Sequence, residues 1–356
     1  MPTLEDLGFD SGFESSFASL AKRGLAPGRV ISVHRGAVTV FIEGGEVLAT
    51  ASGRLLEVAS SPEARPVVGD WVGLREGSVL DAICARRTVL VRRAAGGSAA
   101  PQLLAANVDV LLAVMALDAD FNVRRLERYA ALAAASGVEL AVLLTKEDLL
   151  TPEEVSRRLD EARGSAPGAA VLAVSGLRGR GVDALKGLLE PRRTYALLGS
   201  SGAGKSTLVN ALLGRERQAT AAVRAGDGRG RHTTTRRELI RLPSGALLVD
   251  TPGLREVGLW LGGEGVSSAF PEIEEAAARC RFRDCSHGSE PGCAVRVQVA
   301  EGRLDPARLA SLGKLRREEA FLERRLDPRK EREEKLRWKK LTNGAWEASR
   351  AKRRRS

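Results

Sequence analysis

Aromatic side chains, histidines and cysteines are scarce in this chain. Phe, Trp and Tyr make up 4% of its 356 residues, with four Cys, three His and two Met. Four cysteines in this length do not make a disulfide scaffold, so packed cores must hold the fold. No apolar run approaches the ~20 residues that cross a bilayer as a helix. The longest, 108–117, is interrupted by Asp109. The N-terminus carries Glu5, Asp6 and Asp10 and lacks the apolar stretch of a signal peptide. A cytoplasmic chain with no membrane partner is expected. Acidic residues are the minority, 45 against 56 Lys and Arg, which leaves a net charge of +11. Such a balance favours an anionic partner, nucleic acid above all. With 43% hydrophobic residues, global disorder is excluded and two or three domains are expected.

The charge is uneven. Residues 312–356 hold 17 Lys or Arg against eight Asp or Glu and end in Lys352, Arg353, Arg354 and Arg355. This tail reads either as a solvated end or as an arm for phosphate backbone, and the net charge favours the second. Residues 1–24 read as a loose tail. From 25 to 98, short β-rich runs at 29–33, 37–42, 46–50, 70–74 and 88–91 lie between glycines, the pattern of a small five-stranded OB-type barrel. Aromatics for base stacking are sparse there, Phe41 and Trp71, so any RNA contact would lean on charge. His34 and Cys84 read as ordinary surface and core residues. From 99 to 262 apolar strands alternate with helical sequence, the signature of a mainly parallel three-layer α/β domain. Residues 263–326 are helical and charged, and 327–356 form the basic extension.

One motif dominates the α/β region. Gly199, Ser200, Ser201, Gly202, Ala203, Gly204, Lys205, Ser206 and Thr207 match G-x-x-x-x-G-K-[ST] after an apolar strand and before a helical pattern. Glycines let backbone N–H groups turn inward around phosphates at a helix N-terminus. Lys205 is expected on the β- and γ-phosphates and Ser206 on magnesium. Thr145, Lys146, Glu147 and Asp148 end another apolar strand in the [NT]-K-x-D pattern. Asp148 can accept from N1–H and the exocyclic amine of guanine, a donor pair that adenine lacks, while Lys146 lies along the base. Ser175, after a third strand, is placed for a backbone contact to the guanine oxygen, although Gly176 stands where alanine is usual. Asp250, ending the strand before Thr251, Pro252 and Gly253, can hold magnesium through water, and the Gly253 amide can sense a γ-phosphate. Between loop and Asp250 lies a glycine-rich stretch, 226–235, with the characteristics of a switch. A threonine there, Thr234 among the candidates, can complete the magnesium shell. Leu254 stands where many GTPases carry a water-orienting glutamine, which leaves His232 as the nearest polar substitute. Gly202 gives no support to potassium dependence.

Order is informative: the guanine motif precedes the phosphate loop, which precedes Asp250. One sheet can still form if the domain is circularly permuted. Its last strand then connects directly to the C-terminal region, so nucleotide state can move that region.

Cys280, Cys285, His287 and Cys293 fall within 14 residues as C-x4-C-x-H-x5-C. Three thiolates and one imidazole suit a closed tetrahedral structural zinc site. Free buried thiols or a disulfide are the alternatives.

With this motif order and this cysteine pattern, the sequence resembles the bacterial ribosome small subunit-dependent GTPase A (RsgA/YjeQ) family over residues 25–320. The resemblance implies an N-terminal OB-type barrel, a circularly permuted α/β P-loop GTPase domain and a C-terminal helical zinc-binding domain. It implies a monomer that binds GTP and GDP with Mg2+, contacts the small ribosomal subunit and its rRNA, and hydrolyses GTP late in that subunit's maturation. Nucleotide binding carries over to 145–148 and 199–207, and one zinc to the Cys3His set. Two other classes remain: a nucleotide-gated RNA-binding factor whose turnover is incidental, and a P-loop kinase of a small molecule. Lys146 with Asp148 argues against the kinase.

Overall fold

A computed structural model describes residues 2–58, 65–93, 101–214, 238–250 and 264–326. Five strands, β1 (Ala26–Val33), β2 (Val38–Ile42), β3 (Gly45–Ala51), β4 (Trp71–Arg75) and β5 (Val79–Ile83), close into a barrel in the order β1-β2-β3-β5-β4-β1. Closure depends on β1, which serves two neighbours within the barrel. Its first half pairs with β4 from Ala26 opposite Leu74 to Arg29 opposite Trp71, and its second half pairs with β2. A bulge between Val30 and Ser32 bends the strand enough to make the turn. Val30, Val38, Val40, Ala49, Val72, Leu74 and Leu80 fill the interior. A short helix, α1 (Ser11–Ala21), precedes the barrel, and another, α2 (Gly53–Val58), follows β3.

Two sequence expectations fail here. The run at 88–91 is not the fifth barrel strand. It belongs to β6 (Val89–Arg93), which pairs outside the barrel with β7 (Pro101–Ala106). The true fifth strand, β5, was hidden by Asp81, whose carboxylate is held by Arg23 and Arg75. Residues 2–24 of the expected tail are not loose, because α1 is capped by Asp10, which accepts from the N–H groups of Gly12 and Phe13 at 3.0 Å. Phe9, Phe13 and Phe17 recur every fourth residue. Phe13 and Phe17 are buried, and the rings of Phe9 and Phe13 sit 4.7 and 5.6 Å from that of Trp71. Trp71 and Phe41 are 1% and 6% exposed, so neither can stack on a base.

Arg29 ties the N-terminal segment, barrel and α/β domain together. Its buried guanidinium donates to the Leu7 carbonyl, to the Asn107 carbonyl at 3.3 Å and to Thr194 Oγ1 at 2.8 Å. Burial pushes its pKa down to about 10, so it stays charged at neutral pH. Cys84 is a core thiol, its pKa raised by burial to about 11.

The second sheet contains β8 (Val110–Ala116), β9 (Glu139–Thr145), β10 (Ala170–Val174), β11 (Thr194–Leu198), β12 (Glu238–Arg241) and β13 (Leu247–Asp250) in the spatial order β10-β9-β8-β11-β13-β12. The first five are parallel, and only β12 is antiparallel to its neighbour. β8 and β11 are buried throughout, as central parallel strands covered on both faces must be. Helices α3 (Val123–Ser136), α4 (Pro152–Ser165), α5 (Val182–Leu188) and α6 (Lys205–Leu213) supply the crossovers. Ser32 of β1 pairs with Glu238 of β12, so barrel and α/β sheet share one hydrogen-bonded edge. The 98/99 boundary falls among residues outside those described.

After β13 come α7 (Glu264–Ser268), α8 (Pro271–Ala277), α9 (Ala294–Ala300) and α10 (Pro306–Leu326). This region docks on α3 through charge as well as apolar packing. Glu127 of α3 is fully buried, with its carboxylate against Arg124 at 2.5 Å and Arg308 of α10 at 3.3 Å. Arg308 also reaches Glu272 at 2.6 Å and lies over the Phe270 ring. Arg128 grips Glu318 with two bonds, 2.6 and 2.9 Å. A buried carboxylate is tolerated only with such partners, so this contact fixes how the helical region meets the domain.

Candidate nucleotide site and metal centre

The C-terminal ends of β8, β9, β10, β11 and β13 open onto one edge, where ligands bind in parallel α/β sheets. The loop from Gly199 to Gly204 leaves β11 there and enters α6 at Lys205. Gly199 passes so close to β8 that a Cβ on it would lie 2.2 Å from the Val114 carbonyl oxygen. No other residue fits. The Lys205 ammonium donates to the carbonyls of Gly199 at 2.7 Å and Ser200 at 2.5 Å, and so closes the loop it is meant to serve. Ser206 and Thr207 occupy the first turn of α6, where unsatisfied N–H groups favour an anion.

The 145–148 segment lies beside this loop. Thr145, 3% exposed, donates from Oγ1 to the Ala203 carbonyl at 2.6 Å. This single bond joins the end of β9 to the phosphate loop. Lys146 adopts φ +59° and begins a 3-10 turn, Glu147–Leu149, which holds Asp148 half-buried at the edge. Lys146 pairs with Asp118 at 2.7 Å, and Glu147 pairs with Arg180 at 2.9 Å. Partial burial pushes the Asp118 carboxyl up, but the bonds from Lys146 and the Asp120 N–H, together with the Lys146 charge, outweigh it and hold the group below its ordinary value.

Ser175 follows β10 and is 1% exposed. Its Oγ accepts from the Arg178 N–H at 3.0 Å and its carbonyl from Gly179 at 2.8 Å, which draws 175–180 into a compact turn. Gly176 packs against α6: a Cβ there would lie 3.1 Å from Thr207 Cγ2. The departure from alanine thus has a packing reason. Asp250 ends β13 on the same edge. His232, Thr234 and Gly253, with the 226–235 stretch, Leu254 and the 327–356 extension, lie outside the described residues.

Sequence reasoning missed the turn after β8. Asp118 and Asp120 sit there, and Asp120 accepts from Ser200 Oγ at 2.5 Å. The available signal was two carboxylates directly after an apolar strand whose neighbours carry the phosphate and guanine motifs.

At the other end of the chain, Cys280, Cys285, His287 and Cys293 bring their ligand atoms within 4.8 Å of one another. Cys280 Sγ stands 3.9 Å from Cys293 Sγ, and His287 Nδ1 stands 3.8 and 3.5 Å from the two sulfurs. Four donors at metal–sulfur distances of about 2.3 Å in a tetrahedron would be separated by about 3.8 Å. The donor set therefore fits one metal ion. Cys293 immediately precedes α9, and Cys280 follows α8, so an ion here would clamp the two helices. Burial, reinforced by the Arg316 charge, holds the His287 imidazole below its ordinary pKa, which favours the neutral ring that a metal requires.

The chain is similar to known proteins. The sequence model described as RsgA GTPase matches residues 83–260. A protein of Opitutus terrae named "Small ribosomal subunit biogenesis GTPase RsgA" is 46% identical, covering 96% of this chain and 96% of its own. A Streptomyces coelicolor protein of the same name is 40% identical over 98% of this chain and 96% of its own. Among solved structures, YjeQ from Thermotoga maritima matches with a TM-score of 0.63 at 25% identity, covering 83% of this chain and 99% of that one. YloQ, described as a circularly permuted GTPase, has the same fold, with a TM-score of 0.58 at 24% identity over 83% of this chain and 96% of its own. Barrel, permuted sheet and Cys3His cluster agree with that likeness, and the chain belongs to the RsgA GTPase family.

Proposed function

We propose that this chain binds the small ribosomal subunit and hydrolyses GTP to GDP and phosphate late in that subunit's maturation, as a cytoplasmic monomer. The observation that carries the nucleotide half is the bond from Thr145 Oγ1 to the Ala203 carbonyl, which brings a guanine-reading segment and a phosphate loop to one sheet edge. Asp148 reads the guanine edge, Lys146 lies along the base, and the Ser175 backbone contacts the guanine oxygen. N–H groups from 199–207 cradle the phosphates with Lys205 on the γ-phosphate. Ser206 and Asp250 are the residues that would hold a magnesium ion, which would neutralise charge developing on the phosphates. From sequence position alone, Thr234 completes the magnesium shell, Gly253 senses the γ-phosphate and His232 orients the attacking water. The names of the relatives support the ribosomal half, as does the net charge of +11. The barrel, the helical region and the 327–356 extension supply contacts to rRNA phosphates.

Adding purified small subunits should raise phosphate release by about 100-fold or more, because Leu254 leaves intrinsic hydrolysis slow and the missing group must be ordered or supplied in trans. Binding to the subunit with unchanged turnover would instead favour a nucleotide-gated RNA-binding factor.

The metal is structural zinc, since three thiolates and an imidazole leave no open position. Metal analysis of protein purified without chelator should return one zinc per chain, and Cys293→Ser should lose it together with ordered structure around 280–293. Full-length protein with no zinc, or a Cys293→Ser protein that keeps a full equivalent, would reject this assignment.

A further inference from the structure

The turn after β8 touches both halves of the nucleotide site. Asp118 Oδ2 accepts from Lys146 Nζ at 2.7 Å, and Asp118 Oδ1 accepts from the Asp120 N–H at 2.9 Å. Asp120 Oδ2 accepts from Ser200 Oγ at 2.5 Å, while Asp120 Oδ1 takes Arg125 of α3 at 2.5 Å. The Leu117 N–H donates to the Thr145 carbonyl at 2.9 Å, which fixes the turn to the end of β9. A lysine at φ +59° sits in a region that disfavours side-chain-bearing residues, and here its ammonium is pinned as well. The Asp118–Lys146 pair is half-exposed, its side chains 35% and 28% accessible. Exposed pairs add little to folding, so overall stability does not account for this arrangement.

We propose that Asp118 and Asp120 are positioning residues for the guanine nucleotide, Asp118 holding the Lys146 stem against the base and Asp120 holding the phosphate loop through Ser200, so that one turn couples the two. The inference rests on the nucleotide reading above. A free lysine side chain samples many rotamers, and fixing one on binding costs affinity. Asp118 makes that selection before the nucleotide arrives. Asp120 does the same for the first residue after Gly199, and Arg125 offsets its negative charge beside an anion site. Neither carboxylate is required to touch the nucleotide.

The test is titration of full-length protein with a fluorescent N-methylanthraniloyl GDP, alongside steady-state GTP hydrolysis. Asp118→Asn should raise the GDP Kd about tenfold, with the rise in KM exceeding the fall in kcat. Because Asp118 acts through Lys146, the double variant Asp118→Asn/Lys146→Met should bind no worse than Lys146→Met alone. Asp118→Glu, which restores a carboxylate, should recover part of the loss. Asp120→Asn and Ser200→Ala should each raise Kd about threefold or more and be equally non-additive. Melting temperatures should stay within about 3 °C of wild type. A Kd for Asp118→Asn within twofold of wild type, or fully additive double variants, would overturn the proposal. A wild-type chain that fails to bind the GDP probe would overturn the nucleotide reading instead.

Discussion

Lys205→Ala should lower kcat/KM for GTP by about 10³-fold or more, with and without small subunits, as read by phosphate release. The lysine has a structural role and a proposed catalytic one. Its ammonium spans the Gly199 and Ser200 carbonyls at 2.7 and 2.5 Å and so holds the loop curled. The proposed function puts the same ammonium on the β- and γ-phosphates, where charge develops as the terminal bond breaks. A thousandfold loss corresponds to about 4 kcal/mol of transition-state stabilisation. That is the scale of removing one preorganised charged donor from a reacting centre. Folding should survive, because α6 is anchored by buried Leu208, Val209 and Leu212 and not by Lys205. Lys205→Arg is the informative companion. It keeps the charge but spreads it over a plane that cannot enter the same curl, so it should recover little of the activity. Turnover within threefold of wild type in Lys205→Ala would remove the phosphate-loop assignment.

The parallel strands were readable because they are apolar runs. In β8, β9, β10, β11 and β13 no charged residue interrupts the run except at its ends. The permutation was readable for a different reason: the motifs keep their local chemistry whatever their order, and only their sequence along the chain changes. Other elements escaped because their signals were weak locally and strong only in three dimensions. β12 is Glu-Leu-Ile-Arg, too short to show alternation, and gains its place from pairing on both edges. β5 carries Asp81, which two arginines accommodate. The helix α1 looks polar apart from its phenylalanines, whose burial depends on Trp71 fifty residues or more away. The site shows the same split. Thr145, Lys146, Asp148 and 199–207 announce themselves by spacing, whereas Asp118 and Asp120 belong to no pattern and acquire meaning only when β8 lies between β9 and β11.

Asp148→Asn should abolish the preference for GTP over ATP, by up to about 10⁴-fold in relative affinity. A site that pairs its polar groups with substrate donors rejects an analogue lacking them, because the site's own groups are then left unsatisfied. Asp148 is suited to this because it cannot drift. On one side Thr145 is bonded to the phosphate loop and Lys146 to Asp118. On the other, Leu149 and Leu150 close the 3-10 turn with bonds of 3.1 and 3.2 Å to the Lys146 and Glu147 carbonyls. Thr151 then starts α4 with a reciprocal capping box to Glu154, so the turn is fastened at both ends. The carboxylate offers two acceptors to the guanine N1–H and exocyclic amine. An asparagine offers one acceptor and one donor, so its amide meets the amine donor to donor. The same asparagine matches xanthine, which keeps N1–H but carries an oxygen in place of the amine. Competition binding should therefore show Asp148→Asn losing GTP while gaining xanthosine triphosphate, with its melting temperature nearly unchanged. Misfolding predicts no such gain. Equal wild-type affinity for GTP and ATP, or an Asp148→Asn protein that still prefers GTP, would mean that guanine is read elsewhere.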